Sequence, residues 1–113
     1  MTSNSLSAGA PATRAPMWEP VPVPPQAPAQ EGMVDVDGSR LWYWDTAGNG
    51  TPVILLHAGT QSAAGWVYQQ PVLAAAGYRA IGYSRRGYHR SDPGDVDNPG
   101  YGADDLHRLL QHL

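Results

Sequence analysis

The chain has 113 residues, a formal net charge of -3 and no cysteine, so it fits at most one domain and forms no disulfide. Its mildly acidic balance gives no support to nucleic-acid binding, for which a clustered basic face is expected. No apolar run approaches the ~20 residues that span a bilayer, and we therefore expect a soluble, cytoplasmic protein with no membrane partner.

Residues 1–30 differ in composition from the rest of the chain. They hold seven of the 11 prolines; proline fixes φ and removes a backbone donor, so neither a helix nor a sheet can propagate. We predict a disordered or polyproline-like tail over 1–30 and a folded domain over 31–113. The tail is not a secretory signal, because no basic start precedes an uninterrupted apolar run. The functional alternative is a proline-rich ligand for a partner domain, formed by Val21–Pro25.

A β-hairpin is predicted at the start of the folded part. The apolar stretch Met33–Val36 leads into Asp37-Gly38, which is typical of a type I′ turn, and the aromatic run Leu41–Trp44 follows. The glycines of Ala47–Gly50 precede a strand and lack a third glycine at the required spacing, so they do not form a dinucleotide fingerprint.

The next strand is the most informative part of the chain. Val53–Leu56 is a run of four apolar residues, which predicts a strand buried on both faces, as in the middle of a parallel sheet. It passes directly into the small-residue turn His57-Ala58-Gly59-Thr60. A turn without bulky side chains lets backbone N–H groups approach a ligand, and ligands bind at this end of the strands in open α/β sheets.

A helix and a second strand should follow. Ser62 is a candidate N-cap, and Ala63–Ala76 is predicted to be helical, with Gly77 as the residue that ends it. Pro71 either kinks this helix or, as we favour, is the first residue of the helix proper. Tyr78–Tyr83 is the next predicted strand. Strand, helix and strand make a right-handed βαβ unit, which implies parallel pairing.

The last predicted element is a helix over Tyr101–Leu113, after a polar loop over Ser84–Pro99. Its leucines recur at helical spacing and define one apolar face. The leucines of this face are Leu106, Leu109, Leu110 and Leu113. No capping glycine follows, and we expect that the sequence was cut here and that another strand follows.

Residues 31–113 resemble the N-terminal part of the α/β-hydrolase fold family. Members typically show His-Gly-x after the third strand and Asp-x-Arg-Gly-x-Gly-x-Ser after the fourth. The matching segments are His57-Ala58-Gly59-Thr60, the Trp66 helix, Ser84-Arg85-Arg86-Gly87-Tyr88-His89-Arg90-Ser91 and Ala103-Asp104-Asp105-Leu106. The chain departs from the pattern at Ala58, Ser84 and His89, where Gly, Asp and Gly are usual.

The resemblance implies an α/β fold class. We expect a partial α/β-hydrolase sheet, made of an antiparallel hairpin, a parallel βαβ unit and one following helix, without the central and C-terminal strands of the family. The family's strand order is 1-2-4-3-5. Without the fifth strand, Val53–Leu56 becomes an exposed edge, through which the chain could self-associate.

The resemblance also implies a chemistry. One backbone N–H of the oxyanion hole maps to Gly59, with Ala58 and Thr60 as neighbours, and the second comes from the residue after the nucleophile. The Ser or Asp nucleophile, the acid and the catalytic His would lie beyond residue 113. We expect a fragment of a hydrolase for small-molecule esters, lactones, epoxides or carbon–carbon bonds, without a cofactor and inactive by itself.

Four further positions are expected to shape the two turns. His57 should position its turn and not act as a base. Ser84 lies in a near match to G-x-S-x-G, but Arg86 stands where the second glycine belongs, so Ser84 is predicted to be a turn residue. Arg86 should order the loop by bonding to nearby carbonyls or to an aspartate such as Asp92 or Asp95, and Gly87 should adopt a positive φ.

Other sites and functions have less support. Trp66 and Tyr68 are candidates to border a pocket. His107 and His112 are five residues apart and do not complete a metal site. Two alternatives remain: a short binding or interaction module without catalysis, and a small enzyme that uses Ser84 with His57 or His89.

Overall fold

The computed structural model describes Glu19 and residues 21–113. Most of the proline-rich tail predicted over 1–30 therefore lies outside the described residues. The elements are β1 (Gln30–Val36), β2 (Ser39–Asp45), β3 (Pro52–Leu56), a 3₁₀ helix (Ala63–Trp66), α1 (Gln69–Ala75), β4 (Arg79–Tyr83) and α2 (Gly102–His112).

The four strands form one mixed sheet in the order β1-β2-β4-β3. β1 and β2 pair as an antiparallel hairpin, with Val36 opposite Ser39. β3 and β4 run parallel, with Val53 opposite Ala80. The predicted hairpin, the parallel βαβ pairing and the strand order 1-2-4-3 are thus confirmed.

The hairpin turn differs from the prediction. Gly38 has a φ of 80°, whereas Asp37 is not among the residues with positive φ. A type I′ turn requires positive φ at both central residues, so the type I′ prediction is wrong. The Asp37 carbonyl accepts a hydrogen bond from Arg86, which belongs to a distant loop, and a contact of this kind is not contained in the local Asp-Gly pattern.

β2 and β4 are covered on both faces. On one face, β2 contributes Leu41 to a cluster with Tyr83 of β4 and Leu109 of α2. On the other face, Trp42 and Trp44 pack with residues that include Ala63 and Ala80. Successive side chains of a strand point to opposite faces, and one apolar cluster on each face therefore stabilises the sheet.

β3 is less buried than its sequence predicts. It lies at the edge of the sheet in the described part of the chain, Val53, Ile54 and Leu55 are only partly buried, and Leu56 is 55% exposed. Burial on both faces is found instead in Ala80–Tyr83 of β4. An edge strand lacks a neighbour on one side, so an apolar run in it keeps exposed surface.

The region between β3 and β4 contains two helices instead of one. Ser62 caps the 3₁₀ helix through its side chain, and α1 begins later, at Gln69. Pro71 is therefore the third residue of α1, not the first as predicted. It is tolerated there because the first four N–H groups of a helix have no partner within the helix. Gly77 has a φ of 91° and ends the helix as predicted.

The apolar face of α2 holds three of the four predicted leucines. Leu109 is fully buried, and Leu106 and Leu113 pack against the same cluster. Leu110, by contrast, is 46% exposed, so its predicted place on the buried face is not observed. Asp105 is buried on this helix instead, where it has an arginine partner described below.

Residues 21–29, which we call the strap, contain no helix or strand but contact α1. The side-chain amide of Gln70 donates to the Ala27 carbonyl at 2.8 Å and accepts from the Ala27 N–H at 2.9 Å. Gln26 donates to the Val67 carbonyl at 2.7 Å. The composition of the segment did not predict these contacts. Within the described residues, none of the helices is long and apolar enough to cross a bilayer.

An ion pair joins the end of β2 to the start of β4. Arg79 donates to both carboxylate oxygens of Asp45, at 3.0 and 2.5 Å, and the Ala47 N–H donates to the same carboxylate at 2.7 Å. Burial raises the pKa of Asp45, but the bonds from Arg79 and Ala47 outweigh burial and bring the pKa below its ordinary value of 3.8.

We expect this pair to make stability depend on pH in acid. Because the folded-state pKa of Asp45 is lowered, its contribution is fully present above the unfolded value of 3.8 and is lost as the pH falls through the folded value. The urea midpoints of the wild type and Asp45→Asn should therefore differ most near neutral pH and converge below that value. Asp97→Asn, at an exposed position, serves as the control. Parallel pH curves for Asp45→Asn and the wild type would contradict the assignment.

Candidate active site

The turn after β3 presents two backbone N–H groups. The Gln61 N–H donates to the Ala58 carbonyl at 3.0 Å, which places Gly59 and Thr60 at the centre of a four-residue turn. Both central residues are exposed. Among the described residues, neither of their N–H groups has a hydrogen-bond acceptor. The turn therefore offers two donors at the carboxyl end of a β-strand.

The side chain of His57 is hydrogen-bonded to this turn. The ring is 3% exposed, its Nε2 accepts from the Arg85 N–H at 3.0 Å, and its Nδ1 lies 2.8 Å from the Ala58 carbonyl. Because Nε2 accepts, the ring hydrogen lies on Nδ1, which donates to Ala58. The Ala58 carbonyl and the Gly59 N–H belong to one rigid peptide plane. The hydrogen bond from His57 to the carbonyl oxygen therefore also fixes the direction of the Gly59 N–H.

The loop after β4 supplies the other contacts of the turn. Arg85 donates through Nη1 to the His57 carbonyl at 3.0 Å, and its guanidinium lies 5.2 Å from the centre of the Tyr88 ring. The Tyr88 hydroxyl donates to the Gly59 carbonyl at 2.9 Å. Two loops that are distant in sequence therefore form one hydrogen-bonded unit at the carboxyl edge of β3 and β4.

A cavity of about 270 Å³ opens beside this unit. Burial raises the pKa of the Tyr83 phenol in its wall, so this group stays protonated at neutral pH. The lining residues are Leu56, His57, Tyr83, Arg85, Gly102, Ala103 and Leu106.

Arg86 ties the loop after β4 to α2. It donates to both oxygens of Asp105, at 2.8 and 3.0 Å, and the bond with Asp105 raises the pKa of Arg86. Of the partners predicted for Arg86, backbone carbonyls are observed: it donates to the Asn98 carbonyl, at 3.1 Å, and to the Asp37 carbonyl. The predicted aspartates Asp92 and Asp95 are wrong, since Asp92 pairs with Arg40, at 3.0 Å. Asp105 is the partner because α2 packs beside this loop, a contact that no local pattern reveals. Gly87 has a φ of 79°, as predicted.

Comparison with known proteins identifies the family. The sequence model of the alpha/beta hydrolase fold matches residues 51–113, which is more than half of the chain. The chain belongs to the α/β-hydrolase fold family.

Individual relatives cover most of this chain but only part of their own length. A non-heme chloroperoxidase from Kitasatospora aureofaciens is 37% identical over 81 residues, which are 68% of this chain and 28% of the relative. Epoxide hydrolase A from Mycobacterium tuberculosis is 36% identical over 84 residues, or 74% of this chain and 25% of the relative. The chain thus spans about a quarter of the length of the curated relatives it matches.

Solved structures agree with this assignment. The bromoperoxidase from Bacillus anthracis aligns with a TM-score of 0.60 and 35% identity over 74% of this chain and 31% of that structure. An epoxide hydrolase from an endophytic Streptomyces aligns with a TM-score of 0.60 and 32% identity, over 74% of this chain and 26% of the other.

Ser84 lies inside this α/β-hydrolase unit and not at its surface. Its exposure is 0%, and its hydroxyl oxygen accepts from the Ala63 N–H at 3.1 Å. A nucleophilic serine needs access to substrate, so this environment favours the turn role over the alternative of a small enzyme using Ser84.

Two contributors to the candidate site are not predicted from the sequence. Tyr88 stands in the motif after β4, but the motif does not predict its bond to the Gly59 carbonyl. Ser91 donates to the Ser84 carbonyl at 2.6 Å and accepts from the Trp42 N–H at 2.8 Å. It joins the loop to β2, and no feature of the sequence singles it out beyond its place in the motif.

Neither Trp66 nor Tyr68 lines the cavity beside the Gly59 turn. Trp66 lines a different cavity of about 270 Å³, together with Trp44 and part of the strap. Tyr68 is 41% exposed and donates to the Val21 carbonyl of the strap. In the part of the chain that the structure describes, no group of three or more His, Cys, Asp or Glu side chains could hold a metal ion.

Gly59 is not required by the fold, and its substitution tests this. Its φ is not positive, and an added Cβ would approach only the Tyr88 hydroxyl, at 3.9 Å. In β4, by contrast, a Cβ at Gly82 would lie 2.5 Å from the buried Trp44 ring. We expect Gly59→Ala to change the free energy of unfolding by less than about 0.5 kcal/mol.

The matched variant Gly82→Ala should lower the free energy of unfolding by about 1–3 kcal/mol, because Trp44 must move to accommodate the methyl group. Urea denaturation of both variants measures the difference. Equal destabilisation of the two would show that Gly59 has a structural role which the geometry does not reveal.

Proposed function

We propose that this chain provides the oxyanion half of a hydrolase active site, with the Gly59 N–H as the donor. The observation that supports this most is the Gly59 peptide itself, whose N–H is unpaired among the described residues and whose orientation is held by His57. Ala58 and Thr60 flank it. An N–H aimed in advance stabilises negative charge without reorganisation when that charge develops on the substrate oxygen.

The reaction we propose is hydrolysis of a small-molecule ester, lactone, epoxide or carbon–carbon bond. For an ester or lactone, the nucleophile adds to the carbonyl carbon, the C=O π pair moves to the oxygen, and the Gly59 N–H donates to that oxygen. The C=O bond re-forms as the leaving group departs with a proton, and water then hydrolyses the covalent intermediate and restores the nucleophile. For an epoxide, attack breaks the ring C–O bond, and water hydrolyses the resulting covalent ester. A second donor would come from the residue after the nucleophile. Loss of one such donor typically lowers kcat 10²–10³-fold, about 2.7–4 kcal/mol.

The nucleophile, the acid and the catalytic histidine are proposed to lie in a segment that follows Leu113. Support comes from the coverage of the relatives, of which the chain spans about a quarter, and from the buried state of Ser84. His57 also has both ring nitrogens engaged, so it is not free to act as a base. We therefore propose that the isolated chain is inactive.

The coding sequence after the Leu113 codon provides the first test. We expect a further strand and a nucleophile turn of the G-x-S-x-G or G-x-D-x-G type. In the longer protein, Gly59→Pro removes the N–H and should lower kcat 10²–10³-fold, measured with p-nitrophenyl acetate or styrene oxide. Gly59→Ala keeps the N–H and is the matched control.

Two results would overturn the proposal. One is turnover of either substrate by the 113-residue chain alone. The other is a stop codon directly after Leu113 together with a stable, soluble chain, which would favour the non-catalytic binding module.

We further propose that isolated chains associate through β3. This strand is at the sheet edge in the described part of the chain, and the side chain of Leu56 is 55% exposed. An apolar edge strand with unpaired backbone groups is a template for pairing with another chain.

Light scattering after size-exclusion chromatography tests the association. Leu56→Lys should shift the chain from oligomer to monomer, because a charged edge resists pairing. Val72→Lys, at a position 67% exposed on α1, should leave the distribution unchanged. If the wild-type chain stays monomeric when its concentration is raised from about 1 to about 100 μM, association in that range is ruled out.

A further inference from the structure

The turn after β3 contains two peptide planes, and each is held by a different side chain. His57 holds the Ala58 carbonyl and thereby the Gly59 N–H. The hydroxyl of Tyr88 donates to the Gly59 carbonyl at 2.9 Å, and this carbonyl shares its plane with the Thr60 N–H. Because a peptide plane is rigid, a hydrogen bond to its oxygen restricts the direction of its N–H.

Tyr88 is itself held in place from several sides. Its ring centre lies 4.7 Å from that of His57 and 5.2 Å from the Arg85 guanidinium carbon. Its backbone N–H donates to the Arg85 carbonyl at 3.0 Å, and its carbonyl accepts from the Ser91 N–H at 2.8 Å. The hydroxyl therefore reaches Gly59 from a side chain whose backbone and ring are both fixed.

Glycine at position 59 leaves room for this contact. An added Cβ would stand 3.9 Å from the Tyr88 hydroxyl, so any longer side chain directed there would compete for the same space. An alanine at position 59 would therefore keep the contact with Tyr88, whereas a longer side chain directed there would not.

We propose that Tyr88 is a positioning residue, which orients the Gly59–Thr60 peptide and so makes the Thr60 N–H a second aimed donor of the turn. Tyr88 does not contact the reacting atoms in this role. The inference rests on the proposed function for its catalytic meaning, but the orientation itself is a property of the chain as it stands. Its consequence is that the loop after β4 controls the shape of the anion-binding turn after β3.

Nuclear magnetic resonance of the labelled 113-residue chain tests this with Tyr88→Phe. The variant keeps the ring contacts with His57 and Arg85 and removes only the hydroxyl. In the wild type, the amide order parameters of Gly59 and Thr60 should be near about 0.85, as in rigid backbone; in Tyr88→Phe they should fall below about 0.6. The Gly59 carbonyl carbon should also shift upfield on loss of its donor.

Tyr78→Phe is the matched control, because Tyr78 is 44% exposed and lies just before β4. It is thus near the amino ends of the parallel strands, whereas the turn is at their carboxyl ends. It should leave the Gly59 and Thr60 signals unchanged, and amides of β3 and β4 should keep their order parameters in both variants. This pattern separates a local orienting role from general loss of structure.

Two results would overturn the inference. One is a pair of order parameters below about 0.6 in the wild type, since the turn would then be mobile despite Tyr88. This measurement needs no variant and so does not depend on the folding of Tyr88→Phe. The other is an unchanged Gly59 carbonyl shift in Tyr88→Phe. Neither outcome bears on the Gly59→Pro kinetics that test the proposed function, so the two failures are distinguishable.

Discussion

The hydrogen bond from the Arg85 N–H to Nε2 of His57 is the contact on which the candidate site depends. It joins the ends of two parallel strands, 3.0 Å apart at these atoms, and it decides which ring nitrogen carries the hydrogen. Only with that hydrogen on Nδ1 can the ring donate to the Ala58 carbonyl. The direction of the Gly59 N–H thus depends on the backbone N–H of Arg85, which lies 28 residues after His57 in the sequence.

The rest of the fold keeps these two strand ends in register. β4 is buried along Ala80–Tyr83 and sits between β2 and β3, so its end is a fixed reference. The loop that follows is anchored by Arg86, which bonds to Asp105 of α2, the Asn98 carbonyl and the Asp37 carbonyl. Burying a charge is costly unless it is paired and hydrogen-bonded; these partners meet that condition and hold helix, loop and hairpin together.

The outer edge of the sheet, formed by β3, has fewer supporting contacts. β3 carries the candidate turn, yet its other side has no neighbouring strand among the described residues. The side of the site formed by β4 is therefore fully supported, while the opposite side is open and apolar at Leu56. The proposed hydrolase function needs a further strand with a nucleophile on that side, and the proposed self-association would use the same surface.

The sequence by itself determined the elements and their order: the hairpin, the parallel βαβ unit, the glycine that ends α1 and the small-residue turn after β3. These depend on apolar periodicity and on backbone preferences of glycine and proline, which act over a few residues. Only the tertiary structure decided that Arg86 pairs with Asp105, that Tyr88 reaches Gly59 and that Gln70 binds the strap. These partners are 19, 29 and 43 residues apart, and several nearby carboxylates and carbonyls were chemically equivalent choices. Packing of whole elements selects among them, because it sets which groups come within hydrogen-bond distance.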